Sequence, residues 1–424
     1  MATVTYEERP ARAVIDLTAI AANTAALRRA AGGAGVMAVV KADGYGHGMV
    51  PTALAALAGG ATWLGTAHPD EALELRAAGI TAQHARILTW LYPPTADLAA
   101  LISADVDLSI SLPEVLERSA ATARTLGTTA RVHLKVDTGL GRNGLMPAVL
   151  PEVAARAAVL QAAGDLQVVG LWSHLACADE PHHPSVTAQQ QVFEAATATL
   201  AAAGIVSEVR HLANTAATLD RPDLRYDLVR PGLGLYGLSP LPGRDPAEFG
   251  LRPAMTLQAD LATVKDVPAG HGVSYGHLYR TTTDTKLGIV PLGYADGIPR
   301  HASGGTAGPG GPVQAGRRIC RVAGRVCMDQ FVLDLGADTP LRPGDTVTLF
   351  GPGPGRIPGS QDDGNGDDGG GLPPAPTAED WAQAAGTIAY EIVTRVGPRL
   401  PRRHEGVAEL AAQAPGLPWT AVAA

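Results

Sequence analysis

The stretch VMAVVKADGYGHG, residues 36–48, is an apolar run that ends on a single lysine and passes at once into a glycine-rich turn. Five apolar residues bounded by glycines read as a strand buried on both faces, as in a parallel sheet. Lys41 therefore stands where a strand leaves the core. Partial loss of hydration lowers the pKa of such an ammonium group and frees neutral amine able to attack a carbonyl. Taken alone, the stretch also admits a lysine snorkelling from a strand end.

Working outward, short runs rich in β-branched residues recur at 62–66, 86–90, 106–110, 131–136, 168–173, 209–212 and 228–229, separated by alanine-rich helical stretches. Together with 36–40 they make eight strands alternating with helices, the requirement of a closed (β/α)8 barrel. An open doubly wound sheet produces a similar alternation, but no GxGxxG follows the first strand. We therefore expect an α/β fold in which a TIM-like (β/α)8 barrel over residues 13–245 precedes a mostly β domain over 246–424 joined by about 1–12.

Barrel enzymes place their chemistry at the C-terminal ends of strands. The polar residues there are Lys41 and Tyr45 after the first run, Lys135, Asp137 and Arg142 after the fifth, and His174 after the sixth. Asn214 and Thr215 follow the seventh, and Arg230 and Gly232 the eighth. The loops after strands seven and eight of a barrel often hold a phosphate through backbone N–H groups and hydroxyls. HLANTAATL supplies an amide and a hydroxyl at a helix entrance, where Thr215 alone would read as a helix cap. RPGLGLYG supplies glycines that let backbone approach an anion. A phosphate site, an aldehyde-capturing lysine and an arginine near a ring nitrogen together describe pyridoxal phosphate.

Composition narrows the remaining classes. The 424 residues exceed one typical core, so two domains are the default. A charged fraction of only 17% and a net charge of −8 give no electrostatic case for nucleic acid or an anionic membrane surface. No apolar run approaches a transmembrane length and no leader-like segment is apparent, so a cytoplasmic location is expected. Cys177, Cys320 and Cys327 lack metal-ligand spacing and read as reduced and structural. No metal is expected.

Nine motifs in order, VVKADGYGHG, HLKVDTGLGRNG, GLWSHLACAD, HLANTAATL, LVRPGLGLYG, GVSYGH, PLGYADG, GRVCMDQ and TIAYEI, span most of the chain. In these the sequence resembles the alanine racemases, pyridoxal phosphate enzymes of fold type III. The resemblance implies interconversion of L- and D-alanine, supplying D-alanine for peptidoglycan, in a homodimer with composite active sites. It makes Lys41 the residue that holds the cofactor covalently and the base on one face of Cα. Tyr275, reaching the site from the partner subunit, becomes the base on the other. Tyr45, Arg142, His174, Asn214, Thr215, Arg230, Gly232 and Tyr390 are implied as cofactor contacts, with Arg230 donating to the pyridine nitrogen. Arg142, Tyr294, Met328 and Asp329 are implied as substrate contacts, and Lys135 as a lysine that is carbamylated to orient Arg142. Arginine has no acceptor, so a nitrogen facing Arg230 must accept, and the ring becomes a weaker electron sink than one paired with a carboxylate. A broader amino acid racemase and a non-catalytic pyridoxal phosphate carrier remain open alternatives.

Beyond about residue 245 the pattern has period two, as in AMTLQADLATVKDV and DTVTLFG, which indicates a β domain of barrel or sandwich type. The N-terminal run 13–17 has two readings, a barrel segment or a strand that pairs with this domain instead, and one helix is expected from about Glu379 to Val393, capped by Thr377. Residues 351–376 are rich in Gly, Pro and Asp and read as a flexible surface loop without the order of an EF-hand. The tail from about Arg403 has no assigned role.

Overall fold

The computed structural model describes residues 9–180, 182–305, 308–352 and 373–422. Most of the expected 351–376 loop lies outside them. The chain divides into two units. One holds Thr18–Gly44, Met49–Arg252 and Val407–Ala424, and the other holds the residues up to Leu17, Tyr45–Gly48 and Pro253–Gly406.

The first unit is the barrel. Its strands are β1 Gly35–Val39, β2 Trp63–Thr66, β3 Arg86–Thr89, β4 Asp107–Ile110, β5 Ala130–Lys135, β6 Leu166–Trp172, β7 Val209–His211 and β8 Leu228–Val229. They pair in parallel in the order β7-β6-β5-β4-β3-β2-β1-β8. The β7–β8 seam is closed by single bonds instead of a ladder. Asp227 N donates to Arg210 O at 3.1 Å and Arg230 N to Ala213 O at 2.9 Å. Met37, Trp63, Leu88, Val169 and Leu228 form one buried cluster drawn from five strands. Burial on both faces is what makes these strands read as continuous apolar runs.

The second unit is mostly β. A six-stranded sheet runs in the order Arg318–Arg321, Pro312–Ala315, Thr346–Phe350, Met255–Asp260, Ala11–Asp16, Arg402–Glu405. A three-stranded sheet holds Thr263–Val267, Thr285–Val290 and Phe331–Asp334. The N-terminal strand is antiparallel to Met255–Asp260 and parallel to Arg402–Glu405.

Three expectations are corrected. The break anticipated between 245 and 246 falls between Arg252 and Pro253, because Asn23 in the barrel unit binds Arg252 through both backbone groups at 2.9 Å. Within the tail, Arg402–Glu405 is a strand of the β unit, whereas the segment from Val407 packs with the barrel unit, where Pro418 meets Gly79. The single helix near 379–393 is two, Ala378–Ala385 and Ala389–Thr394. Gly386 takes φ 67° and ends the first, which Thr377 opens with an Asp380 capping box. Among the described residues, no helix is long and apolar enough to cross a membrane.

Candidate active site

The chain leaves β1 through a left-handed turn. φ is 54° at Ala42, 52° at Asp43, 59° at Gly44 and 53° at Tyr45. Each non-glycine residue in this region costs roughly 1–2 kcal/mol, so the surroundings must hold it there. Gly44 N donates to Val40 O at 2.9 Å, and Asp43 Oδ1 accepts from Met49 N at 2.9 Å. Glu71 supplies the main clamp. Its Oε1 accepts from Ala42 N at 2.7 Å and its Oε2 from Ala67 N at 2.8 Å and His68 N at 3.0 Å. The turn holds Lys41 at the strand end with Nζ 5.8 Å from the Trp90 ring centre. Burial pulls the Lys41 pKa down, Arg142 adds to this, and Glu71 opposes it.

Lys135 closes β5 and is 2% exposed. Its Nζ lies 4.4 Å over the Trp172 ring and donates to Asn143 Oδ1. Burial, then the charges of Arg142 and Arg230, push its pKa down to about 7. Arg142 is exposed, and among the described residues its guanidinium has no hydrogen-bond partner. His174 is held neutral by burial and by the charges of Arg230, Arg142, Lys135 and Lys41. These groups converge on one electropositive mouth.

Arg230 follows β8, is 4% exposed, and stacks 4.8 Å over Trp172. Nη1 donates to His211 O at 2.7 Å and faces His211 Nδ1 at 3.2 Å. Nη2 donates to Ser173 O at 2.7 Å and Leu212 O at 3.2 Å, with His174 Nδ1 at 3.4 Å. Among the described residues, no acceptor is placed on Nε–H. Burial lowers the Arg230 pKa to about 9, which leaves it protonated at neutral pH.

The expected phosphate loops meet each other. Asn214 caps the helix Thr215–Asp220 by accepting from Ala217 N at 3.1 Å, so the cap is Asn214 and not Thr215. Thr215 Oγ1 instead accepts from Gly232 N at 2.9 Å and Gly234 N at 3.3 Å, tying the loop after β7 to the loop after β8. Its own hydroxyl proton is left to donate. A donor-only arginine with one N–H uncommitted, a free hydroxyl proton, a poised lysine and a cationic mouth fit pyridoxal phosphate, an anion with an acceptor ring nitrogen and an aldehyde.

The remaining predicted residues belong to the second unit. Tyr275 opens a short turn, Tyr275–His277, and is 72% exposed. Ser274 before it has φ 58° and donates to Arg325 O at 2.8 Å. Tyr294 N and Ala295 N donate to Cys327 O and Met328 O, both at 3.0 Å. Arg399 grips Asp296 at 2.8 and 3.0 Å and Asp329 at 2.8 Å. Tyr294 and Met328 stand exposed beside this network. Tyr390, on Ala389–Thr394, has its ring 6.3 Å from that of Tyr45, whose hydroxyl is held protonated by burial.

Sequence reasoning missed Glu71, the Trp90 and Trp172 walls, Asn143 and Arg399. Asn143 and Trp172 lie inside quoted motifs and were open to notice. Arg399 acts through contacts distant in sequence, and Glu71 reaches the lysine turn only through Ala42, beside its local bonds to Ala67 and His68.

Family models for the alanine racemase N-terminal domain and C-terminal domain match residues 15–240 and 254–361. A relative from Beutenbergia cavernae called alanine racemase is 54% identical over 397 residues, covering 94% of this chain and 98% of its own. The alanine racemase structure from D-cycloserine producing Streptomyces lavendulae superposes with a TM-score of 0.85 at 52% identity, covering 94% and 97% of the two chains. That from Streptomyces coelicolor superposes with a TM-score of 0.85 at 53% identity, covering 93% and 98%. Two domain models in order and half-identical relatives over nearly the full length leave one assignment: the chain belongs to the alanine racemase family.

Proposed function

We propose that this chain interconverts L- and D-alanine with pyridoxal 5'-phosphate, as a homodimer whose partner completes each site. The observation that carries the reading is the barrel mouth, where Lys41, Lys135, Arg142, His174 and Arg230 converge and Arg230 keeps one donor uncommitted. When bound, the cofactor supplies an aldehyde for the amino group and a ring that acidifies Cα–H. The residues do the rest. Lys41 Nζ, with its pKa lowered by burial, takes or returns the Cα proton on one face. The partner's Tyr275 serves the other face through its hydroxyl. Arg230, through its uncommitted Nε–H, would hold the ring nitrogen, and because it donates without giving up its proton it would limit charge build-up on the ring. Thr215 and the Gly232 loop hold the phosphate, with Tyr45, Asn214 and Tyr390 around it. Arg142 faces the substrate carboxylate as a guanidinium fork, and His174 orients Arg230. Tyr294, Met328 and Asp329 of the partner line the substrate entrance.

With a pKa near 7, Lys135 offers neutral amine to carbon dioxide at neutral pH. Its cationic neighbours would favour the anionic product, so we place the carbamate there. The reading also puts the protein in the cytoplasm, supplying D-alanine for peptidoglycan.

The test is D-alanine formation from L-alanine by cofactor-loaded protein, beside Tyr275→Phe and a panel of other L-amino acids. Turnover of alanine that falls by about 100-fold or more in Tyr275→Phe supports the reading. A cofactor-bound protein inert toward every amino acid would instead make it a carrier, and equal turnover across the panel would make it a broad racemase.

A further inference from the structure

A string of buried polar side chains runs through the barrel from Arg230 to the opposite end of the sheet. His211 Nδ1 lies 3.2 Å from Arg230 Nη1, and His211 Nε2 lies 2.9 Å from His133 Nδ1. His133 Nε2 lies 3.2 Å from Asp107 Oδ2. Asp107 opens β4 and also accepts from Arg86 Nη2 at 2.8 Å and Arg131 Nε at 2.6 Å. Asp107, His133 and His211 are all fully buried.

The two ends of this string decide its protons. Arginine can only donate, so His211 Nδ1 must be a lone pair and its proton sits on Nε2. That proton points at His133 Nδ1, which must then accept, so His133 carries its own proton on Nε2. This last proton meets a carboxylate whose pKa, against the opposing effect of burial, is lowered first by its hydrogen bond with His133 and then by the Arg131 and Arg86 guanidinium groups. Reversing either ring sets two acceptors or two donors face to face. Making either ring an imidazolium sets N–H against N–H, and burial disfavours that charge at both rings.

The barrel wall makes room for this arrangement. Gly170 on β6 stands against the His133 ring, and a Cβ there would lie 2.1 Å from His133 Nδ1. Any side chain at 170 would break the string.

We propose that Asp107 and His133 are positioning residues for Arg230, fixing through His211 a one-way series of donors, Arg230 to His211 to His133 to Asp107. With Nη1 engaged by His211 and Nη2 by backbone carbonyls, the guanidinium has one orientation and presents Nε–H as its remaining donor. Asp107 thus governs the ring-nitrogen partner from the far end of the barrel without touching the site. The inference rests on the racemase reading for the role of Arg230, but the proton pattern does not.

The test is two-bond 1H–15N correlation on full-length protein labelled at histidine nitrogen, with and without cofactor, assigned through His133→Gln and His211→Gln. Both rings are expected neutral and protonated on Nε2 at neutral pH. An imidazolium or an Nδ1–H form at either ring overturns the string. In Asp107→Asn, His133 and His211 are expected to populate mixed tautomers while kcat falls about tenfold to a hundredfold and KM for alanine stays within about twofold. A folded Asp107→Asn protein with unchanged tautomers and kcat refutes the positioning role. Expected tautomers in a wild-type protein inert toward alanine would overturn the functional reading and the positioning role with it.

Discussion

At the barrel mouth Lys135 is 2% exposed and Arg230 4%, whereas on the second unit Tyr275 is 72% exposed and Met328 54%. The first region has its electrostatics set within one chain, because burial and neighbouring cations lower the proton affinity of both lysines. The second has its backbone organised, by Ser274 and Arg399, while among the described residues its phenol stands exposed. Exposed apolar and aromatic side chains on an ordered frame are the form expected of a surface that another molecule covers. On the proposed reading, a single chain carries a tuned half of the site and an exposed half.

Breaking the tuned half should cost most. Lys41→Ala is expected to lower racemisation by about 1,000-fold or more, since it removes both the covalent anchor and a proton acceptor. Borohydride reduction followed by peptide mass analysis should also place the cofactor on Lys41 in the parent and on no peptide in the variant. Turnover within about tenfold of the parent would move the first base elsewhere.

The same half makes a pH prediction. Lys135 has an ordinary pKa of 10.5 and a folded value of about 7. Between these values the unfolded chain takes up a proton that the folded chain lacks, so stability rises with pH across that window, and the penalty is complete below about 7. In cofactor-free protein kept free of carbon dioxide, where Lys135 carries its amine, Lys135→Met removes this dependence. Its stability gain over the parent should shrink by roughly 2–3 kcal/mol between pH 7 and pH 9 in urea titrations. A constant difference would mean that Lys135 titrates normally.

A smaller effect tests how the tuned half is held. Glu71→Ala leaves the N–H groups of Ala42, Ala67 and His68 without their carboxylate, and the left-handed turn without its clamp. We expect a loss of roughly 2 kcal/mol in stability, read by urea titration, and a moderate fall in kcat. Glu71→Gln should recover part of both, because its carbonyl oxygen still accepts.

How legible each half was follows from the range of the interactions involved. Lys41, Lys135, His174 and Arg230 stand where apolar runs stop, and a strand end is a local signal. Glu71 was hidden because its partners include Ala42, 29 positions away. The string through His133, His211 and Asp107 depends on which strands share the barrel interior, which no single motif states. The left-handed turn was hinted at only by Gly44, Gly46 and Gly48, while Ala42, Asp43 and Tyr45 adopt it against their preference. In the second unit, period-two patterning located Met255–Asp260 and Thr346–Phe350. Joining the N-terminal strand to Arg402–Glu405 required the tail, whose strand RRHE has no apolar alternation to reveal it.

The claim that the two halves meet only across two chains is tested most directly by mixing Lys41→Ala and Tyr275→Phe proteins under conditions of subunit exchange. If Tyr275 serves the partner's Lys41, each mixed dimer contains one intact site. Equal mixing should then restore about a quarter of parental activity from two nearly inactive proteins. No recovery, with mixed dimers demonstrated by native mass spectrometry, would place both residues in the site of one chain and contradict the account.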